Sequence, residues 1–273
     1  MSIKRKLSGL ALLVPLITMA ATPADAHRRW LLPSSTVLSG ESELVTVDAA
    51  ASNELFIFEH RGLGLNDLIV TGPDGKTAKT EIIGSGKYRS SFDLPLTQQG
   101  TYRIALVNNG LMGVYKLGEE RKRWRGSLSE LATAIPAEAT DVEISQVASR
   151  TETFATLGEP TLTALTPTNI GLELIPITHP NDLVAGEPAQ FKFLLDGKPA
   201  AGIEIEWVEG GSRYRDTAGD SKLTTDANGM VEVLAPQAGM YYLEASSSSD
   251  NVADPKIQSN RASYTAVLEF LPL

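Results

Sequence analysis

The sequence predicts an all-β protein of two tandem β-sandwich domains, immunoglobulin-like or transthyretin-like, with one short helix in the connector region. Three observations carry that expectation. Short apolar runs alternate with polar residues at period two, Gly, Pro, Asn or Asp closes each run, and one strand–turn–strand pattern occurs twice. A chain of 273 residues, 42% hydrophobic and 21% charged, suits one large domain or two small ones and excludes a disordered or collagen-like protein.

Ahead of the first strand, Lys4, Arg5 and Lys6 precede an apolar run from Leu7 to Ala21, interrupted by Pro15, and then a small-residue stretch ending Ala24-Asp25-Ala26. This is the pattern of a secretory signal peptide over residues 1–26, with cleavage expected after Ala26 and Ala24 or Ala20 as competing sites. The run is shorter than the roughly 20 apolar residues a spanning helix needs. No later stretch is as long or as uniformly apolar, so the expected product is an exported periplasmic protein that is not membrane-embedded, with His27 as its first residue. Its net charge moves from −9 to −11, because three basic and one acidic residue are removed.

From Glu43 the strands read Leu44 to Val47, Leu55 to Phe58 and Leu68 to Val70, followed after the Gly72-Pro73-Asp74-Gly75 turn by Tyr88 to Leu94 and Tyr102 to Val107. An antiparallel meander is the simplest arrangement of these. Glu119 to Arg125 is charged and reads as a solvated connector on which Trp124 packs. Ser127 to Ala134 is the one helical signal, with Ser127 and Glu130 at capping-box spacing and Pro136 ending the run.

The repeated pattern is Asp74-Gly75-Lys76 with Gly100-Thr101-Tyr102, echoed by Asp196-Gly197-Lys198 with Gly239-Met240-Tyr241. The second interval is longer, so the echo is one of shared architecture, not of a short-period solenoid. It divides the mature chain into domains at 27–168 and 169–273, joined near Thr166 to Gly171. The second domain has strands at Gly171–Ile175, Ala189–Leu195, Ile203–Val208, Lys222–Thr224, Met230–Leu234, Tyr241–Ala245 and Ala262–Phe270.

Composition also narrows function. The acidic balance, 24 basic against 33 acidic residues, argues against a nucleic-acid partner. The absence of Cys removes disulfides, thiolate metal sites, a cysteine nucleophile and a lipidated anchor. No Gly-x-Ser-x-Gly, phosphate loop or His-Glu-x-x-His is present, so hydrolytic chemistry has no anchor.

The start His27-Arg28-Arg29-Trp30-Leu31-Leu32-Pro33, the Gly72-Pro73-Asp74-Gly75 turn with Gly100-Thr101-Tyr102-Arg103, and Gly171-Leu172-Glu173-Leu174 with Asp196-Gly197-Lys198-Pro199 resemble a bacterial periplasmic family. That family is catalogued as a domain of unknown function and often labelled the periplasmic component of nickel or cobalt transport systems. The resemblance spans nearly the whole mature chain. It implies divalent-metal handling and an inner- or outer-membrane metal transporter as partner. Where many family members have an acidic residue soon after the first His, this chain has Arg28 and Arg29.

The residues themselves point to metal chemistry through His27. An N-terminal histidine offers an α-amine and an imidazole nitrogen together, a two-point chelate closed to internal histidines. An α-amine titrates at about pH 8, so enough of it is neutral at pH 7 to bind a metal. Further imidazoles would complete a nitrogen-rich site for Ni, Co, Cu or Zn, and His60 and His179 are the only others. His60, in the same domain, is the first choice of helper; Asp48, Glu59 and Asp67 are candidate carboxylates. Affinity is then expected to fall below about pH 6, as the donors protonate.

The plainer readings are an incidental terminus for His27, and strand-end histidines bonded to backbone for His60 and His179. A site using a histidine in the third position is closed, because that residue is Arg29. A copper-bound N-terminal histidine on a β-sandwich also serves oxidative polysaccharide cleavage, but no matching substrate platform is visible and a binding protein is favoured over an enzyme. The remaining alternative is a metal-free binding, adhesion or assembly module.

Overall fold

The computed structural model describes residues 27–215, 219–252 and 254–273; the expected signal peptide and its cleavage site lie outside the described residues. The strands are β1 Arg28–Pro33, β2 Val37–Leu38, β3 Glu43–Ser52, β4 Arg61–Gly62, β5 Leu68–Thr71, β6 Glu81–Ser85, β7 Ser90–Leu96, β8 Gly100–Leu117 and β9 Glu120–Gly126. Helix α1, Leu128–Ala134, follows. The chain continues as β10 Thr140–Leu157, β11 Leu172–Pro176, β12 Pro188–Leu195, β13 Lys198–Pro199, β14 Glu204–Glu209, β15 Asp220–Thr224, β16 Met230–Leu234, β17 Gly239–Ser249 and β18 Ser259–Phe270.

The strands form three open sheets. A nine-stranded sheet runs β15-β14-β17-β18-β10-β8-β5, with β2 added to β10 and β9 to β8. A five-stranded sheet, β1-β3-β7-β6 with β4 on β3, encloses an N-terminal core of Leu31, Val47, Phe92 and Leu94 against Tyr102, Ile104 and Ala155. A four-stranded sheet, β11-β12-β13 with β16 on β12, encloses a C-terminal core of Phe191, Phe193 and Val233 against Trp207, Leu243 and Leu268. The architecture is thus all-β and sandwich-like with one short helix, but both sandwiches draw on one large sheet. Its halves meet where β10 and β18 pair in parallel, from Ser145 opposite Ser259 to Thr153 opposite Val267.

Three local expectations are corrected. Leu55 to Phe58 is a turn, not a strand, because Leu55, Phe56 and Phe58 fold back onto Trp30. Glu119 to Arg125 is no solvated connector: β9 pairs with the far half of β8, turning Trp124 against Leu131 and Ile144. The antiparallel meander expected from Leu44 to Val107 gives way to two sheets, because β3 pairs with β7 in one and β5 with β8 in the other. The helix forms as expected, with Ser127 and Glu130 in a capping box.

The repeated Gly-x-Tyr pattern is a structural repeat. Tyr102 Oη accepts from the Thr97 and Gln98 amides at 3.1 and 2.9 Å, and Tyr241 Oη donates to the Gln237 carbonyl at 2.9 Å. Each sandwich therefore carries a tyrosine corner, the hydroxyl reaching back four residues to pin the approach to its strand. Gly100 suits the corner because its φ is 121° and a Cβ there would lie 2.7 Å from Thr161 Oγ1. Tyr102→Phe and Tyr241→Phe are each expected to destabilise by about 1 kcal/mol, read from urea unfolding midpoints.

Between the sandwiches lies a buried ionic cluster. Arg150 donates to Glu152 at 2.9 Å and to Thr168 Oγ1 at 2.8 Å, and its guanidinium lies 3.5 Å from Glu173. Arg103 approaches Glu152 at 3.6 Å, and Tyr264 Oη donates to the other Glu152 oxygen at 2.8 Å. Burial works against the charge of Arg150, but Glu152 and Glu173 outweigh it and hold its pKa above the ordinary value. Glu173 also accepts the Thr168 and Asn169 amides at 2.8 and 2.6 Å, so the expected linker is tied to this cluster.

Candidate functional site at the start of the first strand

Strand β1 is buried on both faces, which places His27. Leu31 enters the N-terminal core, while Trp30 packs on Val208, Tyr242 and Val267 of the large sheet. Arg28 reaches the same sheet two residues earlier and forms an ion pair and hydrogen bond with Glu206. Burial works against that guanidinium, and the bond to Glu206 more than offsets it, so its pKa is raised.

The loop Leu55–Phe58 places His60. Phe56 meets Trp30 edge-on, ring centroids 5.8 Å apart, and Phe58 lies 6.3 Å from it. Phe56 does this at φ 60°, a left-handed conformation costing an L-residue roughly 1–2 kcal/mol, offset by the buried ring contact. Arg89 lies over the Phe58 ring at 5.1 Å, and Glu59 accepts from Ser52 Oγ at 2.9 Å. Held by these contacts, the chain passes through His60 into β4.

The imidazoles of His27 and His60 consequently stack, with ring centroids 3.6 Å apart and planes 11° from parallel. Stacked rings hold their nitrogen lone pairs side by side. An ion about 2.0–2.1 Å from a nitrogen of each would sit well off both lone-pair axes, so shared coordination needs one ring to turn. His60 is exposed and has room to do so. Among the described residues no three His, Asp or Glu side chains gather as a metal-holding group.

His179 does not join the pair. Its Nδ1 accepts the Asn181 amide at 3.1 Å, and its Nε2 faces Thr101 Oγ1 and the Thr161 carbonyl at 3.1 and 3.2 Å. Thr101 in turn bonds Thr156, which donates to Asn181 Oδ1. The row of the large sheet that holds Glu206, partner of Arg28, crosses β10 at Thr151, five residues or about 17 Å from Thr156. Asp48 is engaged by Arg89 and Ser91, and Asp67 by Asn108.

The His179 network has a pH signature. Burial lowers the His179 pKa, more than the Thr161 carbonyl and Asp182 raise it. The unfolded chain therefore binds this proton more readily than the fold. The stability contributed is complete above the unfolded value of about 6.5 and is lost as pH falls through the lower folded value, where a second N–H would oppose the Asn181 amide. Urea midpoints are expected to fall between pH 7.5 and pH 5, and His179→Gln is expected to flatten that dependence.

The residues not singled out in the sequence are cationic. Arg29 and Arg61 both lie opposite Ala51, one from β1 and one from β4. Arg29 is pulled below its ordinary pKa, chiefly by burial and then by repulsion from Arg61 and Arg125, against the attraction of Tyr242 and Glu244. Burial raises the Glu244 carboxyl, as does neighbouring Glu206, despite the 2.7 Å bond it accepts from Tyr242. The arginines of β9 alternate, and that period-two pattern was the available signal.

These features define a sandwich-like all-β protein in which a half-buried histidine at the start of the first strand stacks on an exposed one ahead of β4. The chain belongs to the family described as a domain of unknown function (DUF4198), which matches residues 24–249. No curated protein matches it. Among solved structures it is similar to the D0-D1 domain of intimin, at 11% identity and TM-score 0.23, covering 88% of this chain and 97% of that one. It is also similar to the two tandem V-type regions of the chitin-binding protein VCBP3, at 10% identity and TM-score 0.20, covering 87% and 98%. Scores this low carry no argument about function. Among the described residues no helix is long and apolar enough to cross a membrane.

Proposed function

We propose that the exported chain binds a divalent transition metal, Ni or Co before Cu or Zn, for uptake or delivery through a membrane transporter. The ligands are the α-amine and imidazole of His27 and the imidazole of His60. The observation that carries this reading is the meeting of these two imidazoles, 33 positions apart in a chain with three histidines. The donor set fits a nitrogen-preferring ion and offers nothing for a hard, oxygen-seeking one. A bound metal would supply Lewis acidity and an exchangeable coordination position; the chain holds and orients it.

Calorimetric titration with nickel(II) chloride tests the reading on two forms, one processed after Ala26 and one with a Met ahead of His27. The processed form is expected to bind at least about 100-fold more tightly, since losing a direct ligand exceeds the 10–100-fold effects of indirect ones. Equal binding by both forms removes the N-terminal chelate.

A further inference from the structure

We propose that the cargo taken at His27 and His60 is an anionic carboxylate chelate of the metal, its carboxylates held by Arg29 and Arg61. This rests on the metal reading above and specifies what that site receives. Arg29 lies two residues, or about 7 Å of strand, from His27, and Arg61 adjoins His60. Because Arg29 and Arg61 flank Ala51 in one cross-strand row, their side chains leave the same face with only a methyl group between them. Their Cα atoms are about two strand spacings, roughly 10 Å, apart, within reach of two guanidiniums sharing one anion.

Arg29 and Arg61 lack the carboxylate partners that Arg28, Arg89, Arg103 and Arg150 have. Arg28 has Glu206, Arg89 has Asp48, and Arg103 and Arg150 share Glu152. Among the described residues, neither Arg29 nor Arg61 forms an ion pair, and the buried Arg29 Nε has no hydrogen-bond partner. The carboxylate acting on Arg29, Glu244, is occupied by the Tyr242 hydroxyl. A chain of net charge −9 thus gathers unpaired guanidiniums beside a histidine pair that has no carboxylate ligand. Such surroundings repel a bare dication. They favour an ion that arrives partly ligated, with carboxylates for the guanidiniums and open positions for the imidazoles.

The test is titration of correctly processed protein with nickel(II) chloride, with 1:1 nickel(II)–citrate, and with metal-free citrate. Nickel–citrate is expected to bind at least about tenfold more tightly than the chloride. The variant Arg61→Ala, at an exposed position, is expected to lose that preference while binding the chloride at least as tightly, since a repelling charge is removed. Nickel chloride bound as well as the chelate, or an Arg61→Ala variant that keeps the preference, overturns the chelate proposal and leaves the metal site standing. Metal-free citrate binding as tightly as the chelate, unaffected by His60→Ala, also overturns it, because the arginines then act apart from the histidines. No nickel binding in either form overturns the metal reading and the chelate proposal together.

Discussion

Glu152→Ala is expected to cost about 3–5 kcal/mol of stability, the range for removing one partner of a buried ion pair. Glu152 is almost wholly buried and takes Arg150 and Arg103 on one oxygen and Tyr264 on the other. Without it, Arg150 keeps only Glu173 and Thr168, and the Tyr264 hydroxyl is left in a core that already pushes its pKa well above the ordinary value, chiefly by burial. Because β10 is a central strand of the sheet that both sandwiches use, the loss is expected as one lowered urea transition, not as selective melting of one half. Glu152→Gln, which keeps volume and one acceptor, is expected to lose less. A fall under about 1 kcal/mol for Glu152→Ala would mean that the guanidiniums are rehydrated there.

His60→Ala is expected to weaken nickel(II) binding at least about 100-fold, again by loss of a direct ligand, with the far-ultraviolet circular dichroism unchanged. His60 is exposed and forms no hydrogen bond within the chain among the described residues, so its removal takes little from the fold. His179→Ala is the informative contrast. That ring is committed to Thr101, Thr161 and Asn181, so its loss is expected to lower stability and leave metal affinity unchanged. The reverse pattern would place the site at the wrong histidine.

The sequence signals that survived folding were those carried by side-chain alternation and turn chemistry. All seven strands expected after Gly171 appear, the alternation being plainest in β12 and β16, which show one face to the core and the other to solvent. The Asp196-Gly197 turn joins β12 to β13 with both residues at positive φ, 50° and 76°, as a two-residue hairpin demands. Strand β10 gave no such signal. Its stretch Ser149 to Leu157 is buried throughout, yet it alternates Ser, Thr, Arg and Glu with few apolar residues, because its polar groups are satisfied by partners on other elements, some over 100 positions away.

The turn at Leu55 to Phe58 failed for the opposite reason: its aromatic content favours a strand, and Trp30, 26 positions earlier than Phe56, overrides it. The histidines were legible as candidates by their scarcity, but which two would meet depended on that turn. The pairing of Arg29 with Arg61 was not legible, since local sequence does not reveal that the two share one neighbour in Ala51.

Strand β18 follows every other described strand in the chain, yet it lies in the middle of the large sheet, between β17 and β10. A chain made or delivered from its N-terminus cannot complete that sheet until β18 has emerged. The N-terminal sandwich must wait with the edge of β10 bare, and the contacts that close it span well over 100 positions. Such distant pairing makes for slow folding. For any chain that emerges from its N-terminus, this order is itself a timing device: the part that emerges first is built so that it cannot finish first.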